Sequence, residues 1–236
     1  MTNMRDAIPL VADELDLLGA LVPLAGKNII ELGCGEARLA RALAIRYPAS
    51  TVVGLEVDAR QHAKNLAAPQ AGITFMAGVA QAIPFADASF DVALMLKSLH
   101  HVPMAEMARA LQEIARVLRP GGYLYVSEPV YAGAFNDVVR IFNDEGIVRA
   151  AAQAALDTAI TSGIWEQRTD QRFETAARFA DFSEFELRVM RPTFADHAID
   201  VAKLAAAQAA FDPHCGPDGA HFKRPMHVRL LTRRIG

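Results

Sequence analysis

Gly33 and Gly35 stand one residue apart between an apolar run and a helical pattern in NIIELGCGEARLARAL (28–43), with Glu31 two residues ahead of the first glycine. Glycine allows positive φ and close approach of backbone to a ligand, and the helix that follows offers the positive end of its dipole. These features make a cofactor loop. A nicotinamide or flavin loop of the form G-x-G-x-x-G needs glycine at position 38, where the chain has Arg38, and a P-loop needs Gly-Lys-Ser/Thr after Gly33. The spacing therefore argues against a bound pyrophosphate. Glu56 ends TVVGLE about twenty residues downstream, the range in which a carboxylate reaches a ribose. Accepting from both ribose hydroxyls would give charge-assisted bonds of about 1.5 to 3 kcal/mol each. Asp58 is the neighbouring competitor, two residues beyond the strand tip.

A second group of proton-handling residues follows two later apolar runs. Lys97, Ser98, His100 and His101 come after VALML, and Glu128 and Tyr131 come after YLYVS. His100, Glu128 and Tyr131 are the candidates for general acid–base chemistry. The competing reading has one histidine packed or capping a helix, the other solvated, and Glu128 fixing a loop. His197, His214, Cys215 and His221 crowd the late segment, but their spacing matches no paired zinc motif, so no metal site is expected. That segment is expected to fold over the sheet edge and lend His197 or His214 to a substrate pocket. Cys34 reads as a small neutral filler.

These residues need a scaffold that brings strand tips together. Short apolar runs alternate with helical patterns across 28–127, the βαβ signature of a parallel sheet covered on both faces. Strands are expected at 28–32, 51–55, 73–76, 90–96 and 123–127. Val11, Leu15, Leu18 and Val22 form one face of an N-terminal helix, and Met107, Leu111, Ile114 and Leu118 form another stripe ended by RPGG. Residues 131–170 read as helices without strand pattern and follow a strand's C-terminal end, where open α/β sheets place ligands; they are expected to cap a pocket. Phe185, Leu187 and Val189 alternate with charges as a strand would, and a helix over 199–211 precedes a last strand at 226–232.

With 24 basic and 27 acidic residues, net charge −3, a large nucleic-acid footprint is not expected. Two distant cysteines and no signal-like N-terminus suggest a reducing cytoplasm, and no apolar run reaches the roughly 20 residues that span a bilayer.

The glycine loop resembles the first motif of class I S-adenosylmethionine-dependent methyltransferases, an acidic residue followed by G-x-G-x-G. Ala37 replaces the last glycine, a mild departure if that residue enters the helix. GVAQAIPF and SFDV, within 73–102, are similar to the family's G-D-A-x-x-L-P-F and S-F-D, and Val79 stands where an Asp usually accepts from adenine. The similarity continues through ARVLRPGGYLYVSEP. The resemblance implies a Rossmann-like α/β fold with a seven-stranded, mostly parallel sheet of order 3-2-1-4-5-7-6, helices on both faces and a helical cap. It implies one domain: an N-terminal helix in 1–25, a cofactor core in 26–130, a substrate cap in 131–175, and C-terminal strands with an insertion in 176–236. It also implies S-adenosyl-L-methionine held by Glu31, Gly33, Gly35, Glu56, Val57, Gly78, Val79, Ala80, Leu96 and Lys97, with S-adenosyl-L-homocysteine as product. The acceptor is expected to be a small molecule, with no nucleic-acid or membrane partner and a monomer or homodimer. An NAD(P)-dependent oxidoreductase, a relative transferring another group, and a non-catalytic cofactor binder are the alternatives.

Overall fold

The structure, a computed structural model, describes residues 8–191 and 197–235. The chain divides into two compact units. One comprises Asp13–Glu128, Val148–Gln171 and the segment from Val228 onward; the other comprises Pro129–Ile147, Arg172–His227 and the stretch ending at Ala12.

The first unit is built on parallel strands. β1 (Asn28–Leu32) lies between β2 (Thr51–Glu56) and β4 (Phe90–Leu96), with β3 (Ile73–Ala77) outside β2. β5 (Leu118–Pro129) pairs parallel with β4. Ile29, Ile30, Leu32, Val92, Ala93 and Leu94 are fully buried, so both faces of β1 and β4 are covered and the apolar runs are continuous. α1 (Glu14–Leu21) precedes β1, and α2 (Arg38–Arg46), α3 (Ala59–Ala67) and α4 (Met107–Val117) are the connecting helices. Leu118, expected as the last apolar residue of the helical stripe, instead opens β5 opposite Phe90, and the ladder shifts register before Val92 meets Tyr123.

Eight strands form the sheet, in the order β3-β2-β1-β4-β5-β8-β6, and the two-residue β7 (Cys215–Gly216) pairs only with β8 (Gly219–Arg233). Without β7, the remaining seven follow the expected 3-2-1-4-5-7-6.

Three expectations along the later chain are corrected. β6 runs from Trp165 to Phe179, so the expected helical stretch 131–175 holds only α5 (Ala134–Val139) and α6 (Gly146–Thr161) before the chain turns to strand. Only Trp165, Phe173 and Phe179 of β6 are buried, and its position at the end of the strand order explains why no alternation shows. The 185–189 stretch is helical: α7 (Phe182–Phe185) runs into a π-helical turn, Glu186–Met190. Phe185 and Met190, five apart, are buried while Leu187 is 70% exposed, a spacing of the π-turn and not of a strand. The last strand also begins earlier than expected, at Gly219.

Ala152 and Leu156 of α6 join Ile30, Leu55, Met95, Leu111 and Ile114 in the core of the first unit. The second unit has its own core of phenylalanines, with Phe185 at 5.0 Å from Phe211 and 5.2 Å from Phe179 between ring centroids. α8 (Val201–Phe211) contributes Ala207 and Phe211 to it.

Candidate cofactor and acceptor site

The glycine loop leaves β1 with Gly33 at φ 70° and Gly35 at φ 52°, conformations that favour glycine. Gly33 and Cys34 donate their N–H groups to the Leu55 carbonyl at 2.9 and 3.1 Å. A Cβ on Gly33 would lie 2.9 Å from Ser98 Cβ, so this glycine also lets β1 and the tip of β4 close together. Ser98 Oγ fixes the approach by donating to the Leu32 carbonyl at 2.8 Å.

Glu56 meets the loop directly. Its Oε2 accepts from Gly35 N–H at 2.6 Å and its Oε1 from Asp58 N–H at 2.9 Å. Asp58 does different work: it caps α3, with Oδ1 accepting from Arg60 N–H at 3.0 Å, while its buried Oδ2 has no hydrogen-bond partner. Asn65, which the motif comparison did not single out, donates to the Gly35 carbonyl at 2.8 Å. The signal available for it was a polar pair, Gln61 and Asn65, at helical i,i+4 spacing.

Glu31 lies behind the loop at 4% exposure, accepting from Ala40 N–H at 3.0 Å in the first turn of α2. The residue at the N-cap, Ala37, offers no side-chain acceptor, so Glu31 supplies it from the neighbouring strand. Burial pushes the Glu31 carboxyl up to about 8, opposed by the Ala40 hydrogen bond and Lys97 and reinforced by Glu14 and Glu56.

Ala37 corrects one expectation. Its φ of 57° and ψ of 32° place it in the left-handed region, so it does not enter the helix; it holds the backbone shape for which the family uses glycine.

Gly78 donates its N–H to the Glu56 carbonyl at 3.1 Å, and a Cβ there would lie 2.8 Å from Leu55 Cδ1. Val79 and Ala80 follow in a tight turn closed by Ala82 N–H to the Val79 carbonyl at 3.2 Å. Arg116 of α4 holds the next residues by donating to the carbonyls of Ile83 (2.9 Å) and Phe85 (2.8 Å). Val57 projects beyond Glu56 at 67% exposure.

At the tip of β4, Leu96 pairs with Ser127, and Lys97 takes φ 55° while donating its N–H to the Ser127 carbonyl at 2.7 Å. Positive φ on a lysine is uncommon and marks a constrained backbone. His100 and Glu128, from the tips of β4 and β5, meet directly: His100 Nδ1 hydrogen-bonds Glu128 Oε2, and both side chains are buried. Glu128 Oε1 accepts from Leu99 N–H at 2.9 Å, so both carboxylate oxygens are fixed. The His101 ring lies 4.1 Å from that of His100.

Tyr131 belongs to the other unit, where its hydroxyl donates to Asp144 Oδ1 at 2.8 Å. His197 and His214 lie there too, against Phe142 and Phe222. His214, Cys215 and His221 line a shallow cleft of about 310 Å³ in that unit.

The loop and its neighbours fit an adenosyl cofactor. A Cβ on Gly35 would meet nothing within 4 Å, so the loop faces open space, and the Glu56 oxygens retain lone pairs for further donors. Arg38, exposed and paired with Glu36, occupies the position where a pyrophosphate loop needs glycine.

A methyltransferase-domain family profile matches residues 30–126. Among curated proteins, the chain is 36% identical over 116 residues to a fatty-acid O-methyltransferase of Mycolicibacterium smegmatis, covering 46% of this chain and 39% of that protein. It is 32% identical over 135 residues to the 27-O-demethylrifamycin SV methyltransferase of Amycolatopsis mediterranei, covering 53% and 49%. Three of the most similar relatives are spanned over only about two-fifths of their length. In three dimensions the chain resembles the YcgJ protein from Bacillus subtilis, with a TM-score of 0.65 at 16% identity over 94% of this chain and 98% of that one. Residues 30–126, which carry the glycine loop, Glu56 and the tip of β4, are thus the part of the chain that is similar to the methyltransferase-domain family.

Proposed function

We propose that the protein transfers a methyl group from S-adenosyl-L-methionine to a hydroxyl of a small molecule, with the His100–Glu128 pair as general base. Bound S-adenosyl-L-methionine supplies an electrophilic methyl group on a sulfonium. Gly33 and Gly35 offer the backbone surface, Glu56 accepts from the ribose hydroxyls, and Val57 covers the adenine; Gly78, Val79 and Ala80 line the adenine side. Leu96 and Lys97 border the methionine end, where Glu31 stabilises the helix terminus behind the loop.

The buried pair carries the choice of acceptor. Glu128, already anchored by Leu99 N–H, holds a proton on His100 Nδ1 and makes Nε2 the basic nitrogen. A carboxylic acid, with a pKa near 4, is ionised at neutral pH and needs no base, whereas a phenol, near 10, or an alcohol must lose its proton as the methyl moves. A fixed base therefore favours a hydroxyl. The relatives named for fatty-acid O-methylation and for 27-O-demethylrifamycin SV support oxygen as the methylated atom.

The expected outcome of a labelled-methyl screen is turnover on hydroxyl acceptors ahead of carboxylates and amines. His100→Ala and Glu128→Gln should each lower that turnover roughly 10²- to 10⁴-fold. Calorimetry should find S-adenosyl-L-homocysteine affinity unchanged in both variants. Full turnover without the pair would remove it from catalysis; failure of S-adenosyl-L-homocysteine to bind at millimolar concentration while NADH binds would overturn the cofactor. The two free thiols support a reducing cytoplasm, and a monomer or homodimer is the assembly we infer.

A further inference from the structure

Asn65 is the one buried side chain of α3, and it is polar, at 2% exposure. Its Oδ1 accepts from Gln61 Nε2 at 3.2 Å, which turns the amide so that Nδ2 points at the glycine loop. There Nδ2 donates to the Gly35 carbonyl at 2.8 Å and lies 3.8 Å from Cys34 Sγ. Gly35 is thus gripped on both sides, its N–H by Glu56 and its carbonyl by Asn65. A glycine facing open space has more conformational freedom to lose than any other residue, so an ungripped loop would have to be ordered by the ligand at the expense of affinity.

We propose that Asn65, oriented by Gln61, is a positioning residue that pre-sets the glycine loop for the cofactor. Glu56 alone does only half of this, because it reaches the Gly35 N–H and leaves the Gly35 carbonyl to Asn65, while the same carboxylate also serves the ribose. Asn65 acts from the opposite side, on the Gly35 carbonyl, so it can keep the loop shaped while Glu56 takes up the ribose. The proposal rests on the cofactor assignment above, and Cys34 allows the two to be tested apart. Its thiol is 7% exposed and pushed up to about 12 by burial and by Glu31 and Glu56, so it should react slowly while the loop is held.

The experiment uses the full chain carrying Cys215→Ser, which removes the exposed thiol and leaves Cys34 as the sole reporter. Asn65→Ala should label at Cys34 with a disulfide reagent at least about tenfold faster. It should bind S-adenosyl-L-homocysteine about tenfold more weakly by calorimetry, with Tm nearly unchanged, as expected for one lost hydrogen bond to a loop. Gln61→Ala, at the more open end of the same chain of bonds, should move both readouts in the same direction by about threefold and serves if Asn65→Ala fails to fold. Unchanged labelling and affinity in these variants would overturn the proposal. Faster labelling with unchanged affinity would also overturn it, leaving Asn65 as packing alone. If the Cys215→Ser parent itself binds no S-adenosyl-L-homocysteine, the cofactor assignment fails, and labelling still decides whether Asn65 holds the loop.

Discussion

Ala37 keeps a left-handed conformation that costs an L-residue roughly 1 to 2 kcal/mol. Glycine would relieve that strain, offset by about 0.4 to 1 kcal/mol of extra freedom in the unfolded chain. Ala37→Gly should therefore raise stability by about 0.5 kcal/mol, measurable as a small rise in urea midpoint at constant slope. A loss of 1 kcal/mol or more would show that the Ala37 methyl, fully buried, matters more than its backbone. The sequence identified this position correctly as the departure from glycine but misjudged its cost, because nothing in the string distinguishes the residue that starts a helix from the left-handed residue before it. His100 and Glu128 were visible as strand-tip residues 28 apart in sequence; their pairing was not, since it depends on the register between β4 and β5. Lys97 was placed by motif alone, and its positive φ has no compositional signature.

At the scale of elements, the central strands β1 and β4 were legible because burial on both faces makes their apolar runs continuous. The ends of the chain were not. β6 exposes most of its side chains, and the 182–190 segment satisfies an alternating pattern by coincidence while Asp181 caps it and Glu184 and Arg188 pair one turn apart. The link from α4 to the 78–85 loop was equally silent. Arg116 spans it, holding two loop carbonyls while Glu113 accepts from Ile83 N–H at 3.1 Å and from Arg116 Nε at 2.9 Å. Arg116→Met keeps the stem but removes every donor. It should leave the Ile83 and Phe85 carbonyls short of partners and cost about 1 to 3 kcal/mol in chemical denaturation. Affinity for S-adenosyl-L-homocysteine should fall a few-fold, because Gly78, Val79 and Ala80 lie at the start of the same loop. Stability equal to the parent would show that the loop is held by its apolar contacts instead.

For the whole molecule, Glu31 ties global stability to pH in an unusual direction. Asp91, bonded to Asn28 N–H and Arg119, and Glu113, bonded to Arg116, sit below the usual carboxylate range. They stabilise the fold above the unfolded-state pKa and lose that contribution only in acid. Glu31 does the opposite. Its folded value of about 8 stands above the unfolded 4.5, so the folded state binds the extra proton. The Glu31 contribution is complete below pH 4.5, declines as pH rises, and is lost above about 8. Over that window the slope should approach at most about −1.4 kcal/mol per pH unit, and the sum should reach a few kcal/mol. Glu31→Gln keeps an acceptor for Ala40 N–H but cannot ionise. Denaturation profiles should therefore show the parent weakening from pH 5 to pH 8 while the variant stays flatter, with the variant the more stable of the two at pH 8. Parallel profiles would mean that Glu31 ionises at an ordinary value, with Lys97 compensating its burial, and the loop would then rest on a charged carboxylate.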